Sequence, residues 1–177
     1  MLDPQTRLAD LPIHYLDMVL DEIFNVPPPW LQPEAKRPET IADVAAMIGQ
    51  DQGTVTAKFR SIIGMSVGIE IAPKNLQDLL AASASGDPTR PVLVDVRERW
   101  EYDICHLADS ILLTEANYPA LLPQLRLAKK VVTICHHGVR SLSAALFLRQ
   151  QGVETATSLA GGVDLWAVEV DTAMARY

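Results

Sequence analysis

The chain has 177 residues, of which 49 % are apolar and 21 % charged. These fractions lie near globular averages and exclude wholesale disorder, a collagen-like fibre and a coiled coil; the length suits one ordinary domain, or one plus a small appendage. The net charge of −7 is a poor match for bulk nucleic-acid or anionic-membrane binding.

The apolar runs are a handful of residues long, far short of the about 20 that cross a bilayer, so no membrane partner is expected. The opening MLDPQTRLAD is acidic and lacks an apolar core, unlike a secretory leader. Two cysteines, Cys105 and Cys135, are too few for a disulfide framework. With that opening they point to a reducing, cytoplasmic setting.

In chain order, Leu16, Val19, Leu20, Ile23 and Phe24 form one helical face. Pro27, Pro28, Pro29, Pro33 and Pro38 then forbid regular helix and predict a stiff connector over residues 27–38 with polyproline character. Thr40 and Asp43 resemble a capping box and predict a helix from Ile41 to Ile48, stopped by Gly49. Val55, Phe59, Ile62 and Ile63 predict another, stopped by Gly64. Residues 1–66 therefore form a small all-helical region.

Within it, Ala45, Gly49 and Val55 have helix-turn-helix spacing, with the second helix beginning near Thr54 and Lys58 and Arg60 available to a phosphate backbone. Residues 1–70 carry ten acids and five bases, however. A DNA reader should show a basic face, so nucleic acid is not an expected partner. The expectation is a helical appendage that packs on the rest of the chain or forms a homodimer, with Leu16, Val19, Leu20, Ile23 and Phe24 as the seam.

Residues 67–177 change rhythm. Short β-type runs (GIEIA, PVLVDV, SILL, KVVTIC, TATSL) alternate with helical stretches over residues 75–85, 117–127 and 141–151. Strands that are apolar on both faces, alternating with helices, predict an α/β fold: a parallel sheet with helices on both faces.

The segment from Lys130 to Gly152 carries the chemistry. Val131 to Ile134 read as a buried strand with Cys135 at its carboxyl end. His136, His137, Gly138, Val139 and Arg140 follow, and a helix is expected to begin at Ser141. Ligands of open α/β sheets collect at the carboxyl ends of strands. The first amides of a helix lack intrahelical partners and carry the positive end of its dipole, so the loop reads as a nest for an anion. Gly138 supplies the unusual backbone angles, and Arg140 adds a permanent cation. A thiol placed there should ionise readily, and the thiolate is its nucleophilic form.

CHHGVRS resembles the active-site loop of rhodanese-like sulfurtransferases. The resemblance extends to LVDVRERWEYDICHL and to LAGGVDLWA, three motifs in the family's order over roughly residues 68–177. It implies the rhodanese-like five-stranded parallel sheet and a sulfurtransferase. The loop cysteine attacks the outer sulfur of thiosulfate or a persulfide donor, small molecule or protein. It becomes a persulfide and passes that sulfur to a thiol or cyanide. Carried over, Cys135 is nucleophile and sulfur carrier, and the amides of His136, His137, Gly138, Val139 and Arg140 cradle the persulfide. Arg140 stabilises the thiolate and holds the donor. No cofactor is implied. Loop-cysteine phosphatases have five residues between Cys and Arg, where this loop has four. The shorter ring suits a single sulfur atom, so phosphatase or arsenate-reductase activity is not expected.

A metal on His136, His137 and Cys135 is not expected either, since adjacent side chains diverge. The two histidines read as solvated side chains whose imidazolium forms would favour an anionic donor at lower pH. Asp95 and Arg97 are expected to pair, with His106 and Ser141 also structural. Trp100 is expected to pack. Cys105 replaces the family's more usual glycine; the alternatives are a thiol that resolves a Cys135 persulfide into a disulfide and a structural residue, and the structural role is the expected one. Gly161 and Gly162 suit a tight turn, and Asp164 a helix cap with Leu165 and Trp166 in the core. The alternative function is a sulfur-responsive regulator that binds a partner through the helical region.

Overall fold

The computed structural model describes residues 2–13, 16–27, 32–66 and 68–177. Pro28 and Pro29 of the expected connector fall outside the described residues, as do Trp30 and Leu31. The chain divides into two compact units, residues 1–67 and 68–177. Among the described residues, no helix is long and apolar enough to cross a membrane.

The first unit has a 3-10 turn, Leu8–Asp10, and helices α1 (Leu16–Phe24), α2 (Ile41–Ile48) and α3 (Gln52–Ser66). The capping box at the start of α2 is complete: Asp43 N–H donates to Thr40 Oγ1 at 3.2 Å, and Thr40 N–H donates to the Asp43 carboxylate at 2.9 Å. Gly49 ends α2 at φ 65°, the left-handed conformation that suits glycine. Two details differ from the sequence expectation. Helix α3 starts before Thr54, because Asp51 accepts the Thr54 amide at 2.9 Å, and it runs through Gly64 to Ser66. A lone glycine weakens a helix by only about 1 kcal/mol, which burial of Val55, Phe59 and Ile62 offsets.

Val19, Leu20 and Phe24, expected at a dimer seam, are themselves buried in the folded chain, and Phe24 stacks on Phe59 with ring centroids 4.6 Å apart. Leu16 and Ile23 remain as the half-buried part of that face. Lys58 and Arg60 are held as well. Lys58 donates to Ile23 O at 3.0 Å and sits over the Phe24 ring, and Arg60 donates to Leu2 O at 2.9 Å.

The second unit is a five-stranded, all-parallel sheet of β1 (Glu70–Ile71), β2 (Val92–Asp95), β3 (Ile111–Leu112), β4 (Val131–Ile134) and β5 (Ala156–Leu159), in the order β1-β5-β4-β2-β3. Its helices are α4 (Pro73–Ala81), α5 (Arg99–Ile104), α6 (Tyr118–Leu127), α7 (Val139–Gln150) and α8 (Gly162–Glu169). The sequence places a helix over 75–85; α4 starts earlier, with Pro73 in its first turn, and stops at Ala81.

Alternate strand residues enter two cores. Leu93, Val132, Ile134 and Leu159 pack with Leu76 of α4 and Val163 and Trp166 of α8. Val94, Val131 and Ala156 pack with Leu125 of α6 and Ala145 and Leu148 of α7. This is period-2 alternation on a sheet covered on both sides. After β2 the chain moves outward to β3, and after β4 it moves the other way to β5. The β2 and β4 exits therefore diverge, and the crevice between them is the ligand position of an open α/β sheet.

Candidate active site

Cys135 leaves β4 at that crevice and is buried. The Gly138 amide donates to its Sγ at 3.1 Å, and Ser141 Oγ lies 3.3 Å from the same sulfur. Ser141 belongs to a hydroxyl cluster beneath the loop. Its Oγ donates to Gly138 O at 3.0 Å and lies 2.8 Å from the buried Ser158 Oγ. Helix α7 begins at Val139, two residues earlier than expected, with Gly138 as a left-handed N-cap at φ 98° and no side-chain cap. Val139 and Arg140 thus open the helix, and first-turn amides have no acceptor within it.

The loop faces the sulfur because its carbonyls are held on the other side. Val163 N–H donates to Cys135 O at 2.9 Å, and Asp164 N–H donates to His136 O at 3.1 Å. The N-terminus of α8 thus caps the loop's carbonyls. Only glycine permits this approach. A Cβ at Gly162 would lie 2.3 Å from Cys135 O and His136 O, and one at Gly138 would lie 2.9 Å from Gly161 N. The glycine pair in LAGGV serves close contact as well as the turn expected of it.

Arg140 is held by a carboxylate. Its two terminal nitrogens donate to Glu101 Oε2 and Oε1, each at 2.8 Å. Glu101 is buried on α5 and also accepts the Glu98 amide at 3.0 Å. Burial alone would raise its pKa; the Arg140 and Glu98 hydrogen bonds outweigh that and bring it to about 2.

Asp95 and Arg97 form the expected pair, fully buried. Arg97 Nε donates to Asp95 Oδ1 at 3.0 Å and Nη2 to Oδ2 at 2.7 Å. Arg97 also donates to Cys105 O at 2.7 Å and Tyr177 Oη at 2.8 Å. Burial opposes its charge, but the Asp95 hydrogen bonds, the Asp95 charge and Tyr177 together leave its pKa raised. The pair thus fastens the β2 exit to the end of α5. His106 has its Nδ1 2.9 Å from Tyr102 O and its ring stacked on Tyr102, as a structural histidine does.

Several expectations change. His136 and His137 do not diverge: their ring centroids are 3.8 Å apart. Nor are they freely solvated. Burial is the main cause that lowers both pKa values, with the neighbouring His137 adding to the effect on His136, which falls to about 4. With a pKa of about 4, His136 is mostly neutral from pH 5 to 8, which disfavours the expected imidazolium. Trp100 does not pack in the core; it is 61 % exposed and meets the Tyr177 ring edge-on. Asp164 does not cap α8; it accepts two hydrogen bonds from Arg176, the shorter 2.7 Å. Trp166 is in the core as expected, while Leu165 is half-buried. Cys105 is half-buried against the α4–α8 core.

Sequence reasoning did not find Glu101 as the Arg140 partner, Ser158 beneath the loop, or Tyr177. Glu101 carries one local signal: it lies three residues after Glu98 in a capping box. Ser158 and Tyr177 carry none.

Comparison with known proteins bears on the same residues. The rhodanese-like domain family matches residues 75–169, which include the whole loop. A protein named thiosulfate sulfurtransferase GlpE, from Actinobacillus pleuropneumoniae serotype 3 (strain JL03), is 32 % identical over 97 residues, covering 55 % of this chain and 84 % of that protein. A protein of the same name from Pseudomonas syringae pv. syringae (strain B728a) is 37 % identical over 75 residues, covering 42 % of this chain and 71 % of that one. A rhodanese-related protein from Thermoplasma volcanium is 29 % identical, with TM-score 0.46, covering 57 % of this chain and 92 % of that one. The family match takes in more than half of the chain, including β2, β4 and the loop that holds Cys135, and the chain belongs to the rhodanese-like domain family.

Proposed function

We propose that the protein is a sulfurtransferase that carries a sulfane sulfur on Cys135. The observation that carries this reading is the Gly138 amide donating to Cys135 Sγ at 3.1 Å, at the carboxyl end of β4. A fixed main-chain donor stands on the reacting sulfur, and preorganised donors at developing charge are the largest usual catalytic term.

In the first step the Cys135 thiolate attacks the outer sulfur of thiosulfate or a persulfide donor. A new S–S bond forms, the donor's own S–S bond breaks, and sulfite or a thiolate leaves with the electron pair. In the second step a thiolate or cyanide attacks the outer sulfur of the Cys135 persulfide, and Cys135 leaves as thiolate. No external oxidant or reductant is consumed. The Gly138 N–H holds the Cys135 sulfur throughout, and the Ser141 hydroxyl, donating to Gly138 O, fixes the loop beneath it. Arg140, with part of its charge offset by Glu101, stands beside the loop to receive an anionic donor. Thiocyanate production from thiosulfate and cyanide tests the reading: the wild-type chain should produce it, and Cys135→Ser should not while keeping its fold.

The regulator alternative draws on the α2–Gly49–α3 arrangement. The acidic balance of residues 1–70 and the internal contacts of Lys58 and Arg60 weigh against its DNA-binding form.

A further inference from the structure

We infer that Tyr177 is a positioning residue of the transfer site, bracing both ends of the Cys135–Arg140 loop with one side chain. The inference rests on the sulfurtransferase reading above. The chain after α8 turns back through Asp171, whose carbonyl accepts the Met174 amide at 3.0 Å, and Arg176 is fastened to Asp164. The next residue is then delivered to the loop. The Tyr177 ring lies on the His136 ring, with centroids 4.1 Å apart and planes 15° from parallel. His136 directly follows the nucleophile.

The phenol reaches the other end. Tyr177 Oη donates to Glu101 Oε1 at 3.0 Å, and Glu101 holds both terminal nitrogens of Arg140. The same oxygen accepts from Arg97 Nη1 at 2.8 Å. The direction of these bonds is forced: a guanidinium can only donate, an ionised carboxylate can only accept, and a phenol can do both. A phenol is therefore the side chain that links the Arg97–Asp95 and Glu101–Arg140 pairs. With 39 % of its surface exposed, Tyr177 is not a core filler.

The loop must keep the Gly138 amide on the Cys135 sulfur both before and after the side chain lengthens by one atom. A brace at each end preserves that geometry, and small losses of alignment weaken anion capture steeply.

Two readouts separate bracing from bulk stability. The first is kinetic. Tyr177→Ala should raise KM for thiosulfate about tenfold with little change in kcat, and Tyr177→Phe, which keeps the ring and loses the phenol, should fall between it and wild type. The second is the titration of the His136 ring by NMR. That ring faces His137, Asp164, Glu101, Arg97 and Tyr177, and burial is the largest cause holding its pKa at about 4. Removing the Tyr177 ring should move it toward the ordinary 6.5, and Tyr177→Phe should leave it in place.

A KM in Tyr177→Ala within about twofold of wild type overturns the proposal, whatever His136 does. If the wild-type chain transfers no sulfur, the parent reading fails, and the titration alone decides the brace. A His136 shift in Tyr177→Ala but not in Tyr177→Phe then upholds it, and an unmoved His136 overturns it. Should Tyr177→Ala fail to fold, the KM of Tyr177→Phe decides: raised, it upholds the phenol link; unchanged, it overturns it.

Discussion

Arg140 and Glu101 meet through two parallel 2.8 Å hydrogen bonds although 39 residues separate them in sequence. The pair fastens the first turn of α7 to α5, and with it the loop that carries Cys135. Bidentate guanidinium–carboxylate pairs are the geometrically specific kind.

Removing either partner should therefore be felt in stability and in rate. Arg140→Ala leaves the buried Glu101 with only the Glu98 amide and Tyr177. It should cost about 2 kcal/mol in urea unfolding. It should also slow sulfur transfer about tenfold through lost anion stabilisation. The folded-state pKa of Glu101, about 2, lies below its ordinary 4.5. Its contribution to stability is thus complete above pH 4.5 and is lost as pH falls toward 2. Glu101→Gln should flatten that part of a plot of melting temperature against pH.

His136 acts in a different window. Its pKa is about 4 in the folded chain against an ordinary 6.5. Between those values the unfolded chain binds more protons, so stability falls as pH drops from 6.5 to 4. His136→Gln should remove part of that slope in thermal melts recorded across the window. From pH 5 to 8, His136→Gln should not alter the shape of the rate profile, since the wild-type ring is already mostly neutral there.

Gly162→Ala tests why the loop's carbonyls need the α8 N-terminus. The new Cβ would sit 2.3 Å from Cys135 O and His136 O, at a φ of 58°. Strain and displacement together should cost about 3 kcal/mol. Activity should drop further than stability alone explains, because the displaced atoms belong to the loop. Gly86→Ala has a comparable φ of 85° but nothing within 4 Å of its Cβ. It should lose about 1 kcal/mol and leave activity at the wild-type level. Melting temperatures and thiocyanate rates measured on both variants check this.

The five strands and the Cys135 loop could be read from local pattern: two-sided apolar runs, glycine, arginine and a following helix. The capping box at Thr40 and the stop at Gly49 were equally local. The helix start at Val139 was not, because Gly138 caps α7 by backbone conformation and no side chain marks the spot. The Glu101–Arg140 pair was hidden because nothing near either residue names the other. The true demand on Gly162 comes from Cys135 and His136, loop residues far away in sequence. Trp100 showed the opposite failure. Its size suggested burial, while Glu101 beside it is the residue that turns inward, and successive residues of a short helix point different ways.

The most direct measurement is the intact mass of the purified chain after exposure to thiosulfate, followed by digestion to locate any change. The account predicts one added sulfur atom on the peptide containing Cys135, removed by a reductant or by cyanide and lacking in Cys135→Ser. A mass that does not change, or a sulfur found on Cys105 while Cys135 stays unmodified, would contradict it.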